Sequence, residues 1–176
     1  MAATGLNPEG LLQAAEHLMP EGRGRPSPAR LRRAISTAYY AAFAALTQEI
    51  AHHFPSTEAQ HAVRRLASHG SARTVCRNLR ASGTVPWLFG KPACHEDLLQ
   101  FAEDFDALYT RRILADYDHS YLCTKRDATD AVSLAHRAVA SLESARQQCP
   151  EQLDMACIAT IADERSRRHL LKPRVG

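Results

Sequence analysis

The residues best suited to chemistry lie in one short stretch of the chain, residues 111–121. If this stretch is helical, Arg112, Asp116 and His119 stand at positions i, i+4 and i+7, along one stripe about 10 Å long. Such a stripe suits a phosphodiester, because the arginine neutralises the phosphate and the histidine moves protons to or from the ribose 2′-hydroxyl or the leaving oxygen. Asp116 can orient either group. Since the ribose supplies the nucleophile, this chemistry requires no metal and no cofactor.

The same residues also have a purely structural interpretation. Arg112 and Asp116 form an ordinary i,i+4 ion pair, and His119 marks the end of a helix. An arginine followed after four to six residues by a histidine occurs twice, at Arg112/His119 and at Arg64/His69. For 19 arginines and 9 histidines, chance predicts roughly three such pairs. The spacing alone therefore does not indicate a catalytic site, and only the surrounding sequence can support that interpretation.

A second polar row lies in residues 31–43. On a helix, Arg33, Ser36 and Tyr40 share one face at spacings of three and four residues. Tyr39 and Phe43 fall on a neighbouring, more apolar face. A polar row beside a buried stripe needs partners for its polar groups, because their burial is otherwise costly. This row is therefore a candidate to meet the Arg112 stripe.

Composition places both segments in a helical chain. The 176 residues are 45% hydrophobic and only 6% aromatic, with alanine runs that favour helices over a β-sandwich. Arginine outnumbers lysine, a bias that a GC-rich genome also produces, and the net charge of +3 argues against broad, unspecific nucleic-acid binding. No apolar run suits a membrane span, and the N-terminus does not resemble a secretory signal. We therefore expect a cytoplasmic protein whose five cysteines are free thiols.

Apolar periodicity and capping signals predict an all-α bundle with two long central helices, short flanking helices and one irregular crossover. Trp87 in the crossover is expected to pack as a lid over the core. A helical domain is expected over 1–149, with an irregular insert at 81–94, followed by a C-terminal helix and basic tail over 150–176. Gly70 is expected to end one of the short helices. The predicted helices cover residues 8–19, 28–52, 58–68, 71–80, 95–121, 126–148 and 151–168.

Five segments together resemble the HEPN (higher eukaryotes and prokaryotes nucleotide-binding) domain family. The most specific are Ser-Thr-Ala-Tyr-Tyr-Ala, from Ser36, and Arg-Ile-Leu-Ala-Asp-Tyr-Asp, from Arg112. The resemblance covers about residues 7–145. The five segments are residues 11–18, 31–43, 65–73, 112–118 and 130–139.

The resemblance implies a small prokaryotic helical bundle that forms a homodimer along its long helices. It also implies metal-independent RNA cleavage at a cleft between two protomers, in toxins or in phage defence. Many such proteins pair with a nucleotidyltransferase antitoxin. Arg112 and His119 match the family's catalytic motif, with Asp116 and Tyr117 as supports, and Tyr121 matches a tyrosine that receives AMP.

The same resemblance implies a wider binding surface and leaves two other functions open. Arg33, Ser36, Tyr40, Arg65 and His69 are the candidates for contacting RNA or a nucleotide. Relatives with the Ala-Asp-Tyr-Asp sequence do not usually carry a histidine at position 119, which favours a non-catalytic module that binds a nucleotide, RNA or a nucleotidyltransferase. A purely structural helical subunit is the third possibility. His69 also has a structural interpretation, as a cation at the C-terminal end of a helix.

Overall fold

The computed structural model describes residues 7–19, 26–85 and 92–171, the last eight of these as backbone only. The described chain is helical, which confirms the all-α class, and Thr84 and Ala93 form its one isolated β-bridge. Trp87, the predicted lid, lies outside these ranges. The helices are α1 (Pro8–His17), α2 (Pro28–His52), α3 (Thr57–Leu66), α4 (His69–Ser82), α5 (Glu96–Tyr117), α6 (Lys125–Gln148) and α7 (Pro150–Leu171).

Helices α1 and α2 begin where their capping signals predict. Asn7 and Ser27 are the N-caps, and each is followed by a proline at the first helical position. The side chain of Ser27 accepts a hydrogen bond from the Arg30 amide at 3.3 Å. Proline is tolerated there because the first amides of a helix have no partner within the helix.

The boundary between α3 and α4 differs from the prediction. Gly70 does not end a helix but lies in the first turn of α4, whose N-cap is Ser68. The Ser68 hydroxyl accepts a hydrogen bond from the Ser71 amide at 3.1 Å, and this serine cap overrides the glycine signal. The interpretation of His69 as a C-terminal cation is therefore wrong, because His69 is the first residue of α4.

The end of α5 also differs, because the helix stops at Tyr117 rather than at residue 121. The guanidinium of Arg32 donates to the carbonyl oxygens of Ala115, Asp118 and Tyr121 at 2.8, 2.9 and 2.6 Å. Carbonyls at a helix end lack partners within the helix, and here a cation from α2 satisfies them. His119 therefore lies beyond the helix, and the prediction that it shares a helical face with Arg112 is wrong.

Helix α2 lies at the centre and packs against α1, α5 and α6, while α5 also packs against α4 and α6. Helix α7 packs mainly against α4 and contributes Leu153 and Ala156 to the same buried cluster. No described helix combines the length and hydropathy that a membrane span needs. The largest fully buried side chains include Tyr39, Phe101, Phe105, Ile35 and Ile50.

Candidate functional site

Two residues from each polar row predicted from the sequence meet here, Ser36 and Tyr40 from α2 with Arg112 and Asp116 from α5. The Arg112 side chain is buried, with 9% of the residue exposed. Its Nε lies 2.8 Å from Asp116 Oδ2, one turn further along α5, as an ion pair without hydrogen-bond geometry. Ser36 on α2 donates a short hydrogen bond to the other oxygen of Asp116. Ser36 thus fixes the carboxylate, and the carboxylate holds the Nε side of the guanidinium.

Three tyrosines surround the guanidinium. Arg112 Nη2 donates to the hydroxyls of Tyr40 and Tyr117, each at 3.3 Å. The carbon at the centre of the guanidinium lies 5.7, 5.8 and 5.3 Å from the ring centroids of Tyr39, Tyr40 and Tyr117. Aromatic faces stabilise a cation at these distances. Burial opposes the charge, but the hydroxyl of Tyr40 and the neighbouring Tyr117 and Asp116 hold the pKa of Arg112 above its usual value.

The arrangement leaves hydrogen-bond donors free for a ligand. Tyr40 and Tyr117 both accept from Arg112, so each hydroxyl keeps its own proton to donate. Tyr117 is 62% exposed. An arginine and two phenol hydroxyls in one place form a set of donors that matches the oxygens of a phosphate.

His69 contacts two of these tyrosines, Tyr39 and Tyr40. Its Nδ1 is 2.8 Å from the Tyr39 hydroxyl, and its ring is 4.1 Å from that of Phe43 and 5.6 Å from that of Tyr40, centroid to centroid. Burial first, and the charge of Arg112 second, lower the pKa of His69 below its usual 6.5. Burial also raises the pKa of Tyr39 far above its usual value. Both side chains are therefore neutral at pH 7.

Three of the predicted site residues are exposed and lie outside this cluster. His119 lies in an exposed turn two residues beyond α5, and no described residue bonds to its ring. Arg33 and Arg65 are exposed on α2 and α3, and no described residue pairs with either guanidinium. These three side chains face solvent, where they are available to a ligand but do not form a site by themselves.

Tyr121, the predicted AMP acceptor, is half-buried and anchored. Its carbonyl accepts from Arg32 at 2.6 Å, and the guanidinium of Arg32 lies 5.8 Å from the centre of its ring. Burial first, and the negative charge of Asp127 next, raise the pKa of the Tyr121 hydroxyl.

Arg32 is the residue that sequence reasoning missed. It connects α2 to the end of α5, whereas its neighbour Arg33, which the helical spacing selects, faces solvent. No signal in the sequence identifies it, because its three acceptors are backbone carbonyls from a segment more than 80 residues away.

Metal ligands do not gather in the part of the chain that the structure describes. No three histidine, cysteine, aspartate or glutamate side chains there are placed to hold a metal ion. All five cysteines carry free thiols, and four of them, Cys76, Cys94, Cys149 and Cys157, are buried.

No family model, no curated protein and no solved structure matches this chain. The likeness to the HEPN family therefore rests on the residues quoted above, and the functions it implies are proposals.

Proposed function

We propose that this protein is a HEPN-like, metal-independent endoribonuclease, acting as a toxin or in phage defence, whose Arg112 binds the scissile phosphate of RNA. The observation that supports this is the convergence of Arg112 with the hydroxyls of Tyr40 and Tyr117. A bound phosphate would lie beside the Tyr40 and Tyr117 hydroxyls, which would donate to it together with the guanidinium, while Asp116 pairs with Nε. There the arginine charge would stabilise the extra negative charge of the transition state.

The proposal includes a homodimer, because HEPN cleavage sites form between two protomers. Exposed side chains near the end of α5 are consistent with a surface that a second copy covers: Tyr117 is 62% exposed and Leu122 is 88% exposed. A nucleotidyltransferase antitoxin that modifies Tyr121 is part of the same proposal.

The test is cleavage of bulk RNA by the purified protein in the presence of a chelator. We expect fragments from the wild-type protein and a rate at least about 100-fold lower for Arg112→Ala, the size of effect seen when one donor to a developing charge is removed. Arg126→Ala is the matched control, because it removes the same charge from a side chain that is 91% exposed. Intact RNA at every concentration of wild-type protein would contradict the ribonuclease proposal.

A second candidate function is a non-catalytic module that binds a nucleotide or RNA. The separation of His119 from Arg112 favours it, because the catalytic pair of the motif is then not assembled within one chain. This function predicts a shift in the mobility of RNA that stays intact, with weaker binding by Arg112→Ala than by Arg126→Ala. An assay that shows whether the bound RNA is cut distinguishes the two functions.

A further inference from the structure

The sequence motif pairs Arg112 with His119, whereas the fold brings His69 to the tyrosines around Arg112. The rings of Tyr39 and Tyr40 each contact both His69 and the Arg112 guanidinium, at centroid distances between 5.5 and 5.8 Å. We propose that His69, and not His119, is the acid–base group that works with Arg112. This inference rests on the ribonuclease function proposed above and names the residue that would move the protons.

The geometry of His69 suits this role. In the tautomer that this role requires, Nδ1–H donates to the Tyr39 hydroxyl oxygen at 2.8 Å and Nε2 is left unprotonated. The ring also packs on Phe43, so the orientation of the imidazole is fixed. Its Nε2 has no hydrogen-bond partner among the described residues, and the side chain is only half-buried. A ligand held by Arg112 and Tyr40 would therefore lie near a histidine of fixed orientation whose second ring nitrogen has no partner among the described residues.

The groups that face His69 favour its neutral form. From α2 these are the aromatic rings of Tyr39, Tyr40 and Phe43, and from α5 it is the cationic Arg112. His69 is also the first residue of α4, where the helix dipole disfavours a positive charge. A neutral imidazole can accept a proton, as the first step of RNA cleavage requires.

The proposed step balances without any other reactant. His69 Nε2 accepts the proton of a ribose 2′-hydroxyl, the 2′-oxygen forms a bond to phosphorus, and the bond from phosphorus to the 5′-oxygen breaks. The imidazolium then returns its proton to the leaving 5′-oxygen. The products are a 2′,3′-cyclic phosphate and a 5′-hydroxyl, while Arg112 stabilises the charge on the non-bridging oxygens.

The experiment compares His69→Gln with His119→Gln in the chelator assay across pH 4.5–8.5. We expect His69→Gln to lower the rate about 100-fold or more, within the range of general acid–base catalysis, and His119→Gln to leave it unchanged. Below the pKa of His69 the wild-type rate should rise about tenfold per pH unit, because the base must be deprotonated. It should level off at a pH below 6.5, since the pKa of His69 is lowered.

The outcomes separate this inference from the proposed function. Cleavage by His69→Gln at the wild-type rate, with His119→Gln inactive, would overturn the assignment of His69 and leave the ribonuclease intact. Wild-type protein that cuts no RNA would overturn both.

A titration of the histidines by NMR gives a readout that does not depend on cleavage. Inorganic phosphate should raise the pKa of His69 and not that of His119, because an anion held by Arg112 favours a nearby imidazolium. In Arg112→Gln without phosphate the pKa of His69 should also rise, because a neighbouring positive charge is lost. If phosphate shifts His119 alone, or neither change appears at His69, the assignment is wrong.

Discussion

Two carboxylates are buried among the described residues, and each is paired with an arginine from a neighbouring helix. Asp104 on α5 is fully buried and accepts two hydrogen bonds from Arg137 on α6, at 2.7 and 2.6 Å. Glu49 on α2 likewise accepts two hydrogen bonds from Arg146 on α6. A carboxylate without such a partner would be costly to bury. These pairs therefore favour one alignment of α6 against α2 and α5.

We predict that Asp104→Asn destabilises the protein by about 1–3 kcal/mol, because two charge-assisted hydrogen bonds are lost while the shape of the side chain is kept. The matched control is Asp130→Asn. Asp130 faces Arg126 at 4.0 Å on the surface, and exposed pairs contribute little. Urea unfolding of both variants checks the prediction, and equal unfolding midpoints would contradict it.

At the scale of helices, the ends of elements decide where the candidate site residues lie. The serine cap at Ser68 starts α4 at His69, which puts this histidine against Tyr39 and Tyr40 of α2. Arg32 closes the end of α5, which leaves His119 in a turn. Helix α4 ends at Gly83, whose φ of 62° lies in the left-handed region. A glycine adopts this conformation without the steric cost that a Cβ atom adds.

Replacement of Gly83 by alanine is expected to destabilise the protein by about 1 kcal/mol through backbone strain alone. A Cβ atom at this position would meet no atom within 4 Å, so no clash contributes. Gly10 in α1 is the matched control, because its Cβ would make only ordinary contacts, at 3.8 Å, with Asn7. Gly10→Ala should stabilise the protein by about 0.5–1 kcal/mol. Thermal unfolding measures both, and shifts of the same sign would refute the prediction.

At the scale of the whole molecule, small side chains let the central helices approach closely. Helix α2 carries Ala34, Ala38, Ala41 and Ala42 at 0% exposure, and α6 carries a similar series. Large side chains there would fill space that the neighbouring backbones occupy, because protein interiors are close-packed. The alanine runs that suggest helices in the composition thus also set the spacing of the bundle.

Enlargement of a buried alanine on α6 is predicted to destabilise the bundle, whereas the same change on its exposed face is not. Ala138→Leu, at a position with 0% exposure, should cost about 1–3 kcal/mol through overpacking. Ala140→Leu, two residues away on the exposed face, should change the stability by less than about 0.5 kcal/mol. Denaturant unfolding compares them, and an equally stable Ala138→Leu variant would show that the bundle has room to expand.

The helical class, the starts of α1 and α2, and the two polar rows, with Ser36 and Tyr40 on one helix and Arg112 and Asp116 on another, follow from the sequence alone. Caps and i,i+4 spacing are local, so they can be predicted from neighbours along the chain. Only the packing of the helices brings these two rows together, places Arg32 at the end of α5, and sets His69, rather than His119, against the tyrosines around Arg112. These contacts join segments 30 to 89 residues apart. No local pattern specifies such contacts, because they form only when α2, α4 and α5 pack around a shared set of buried aromatic rings.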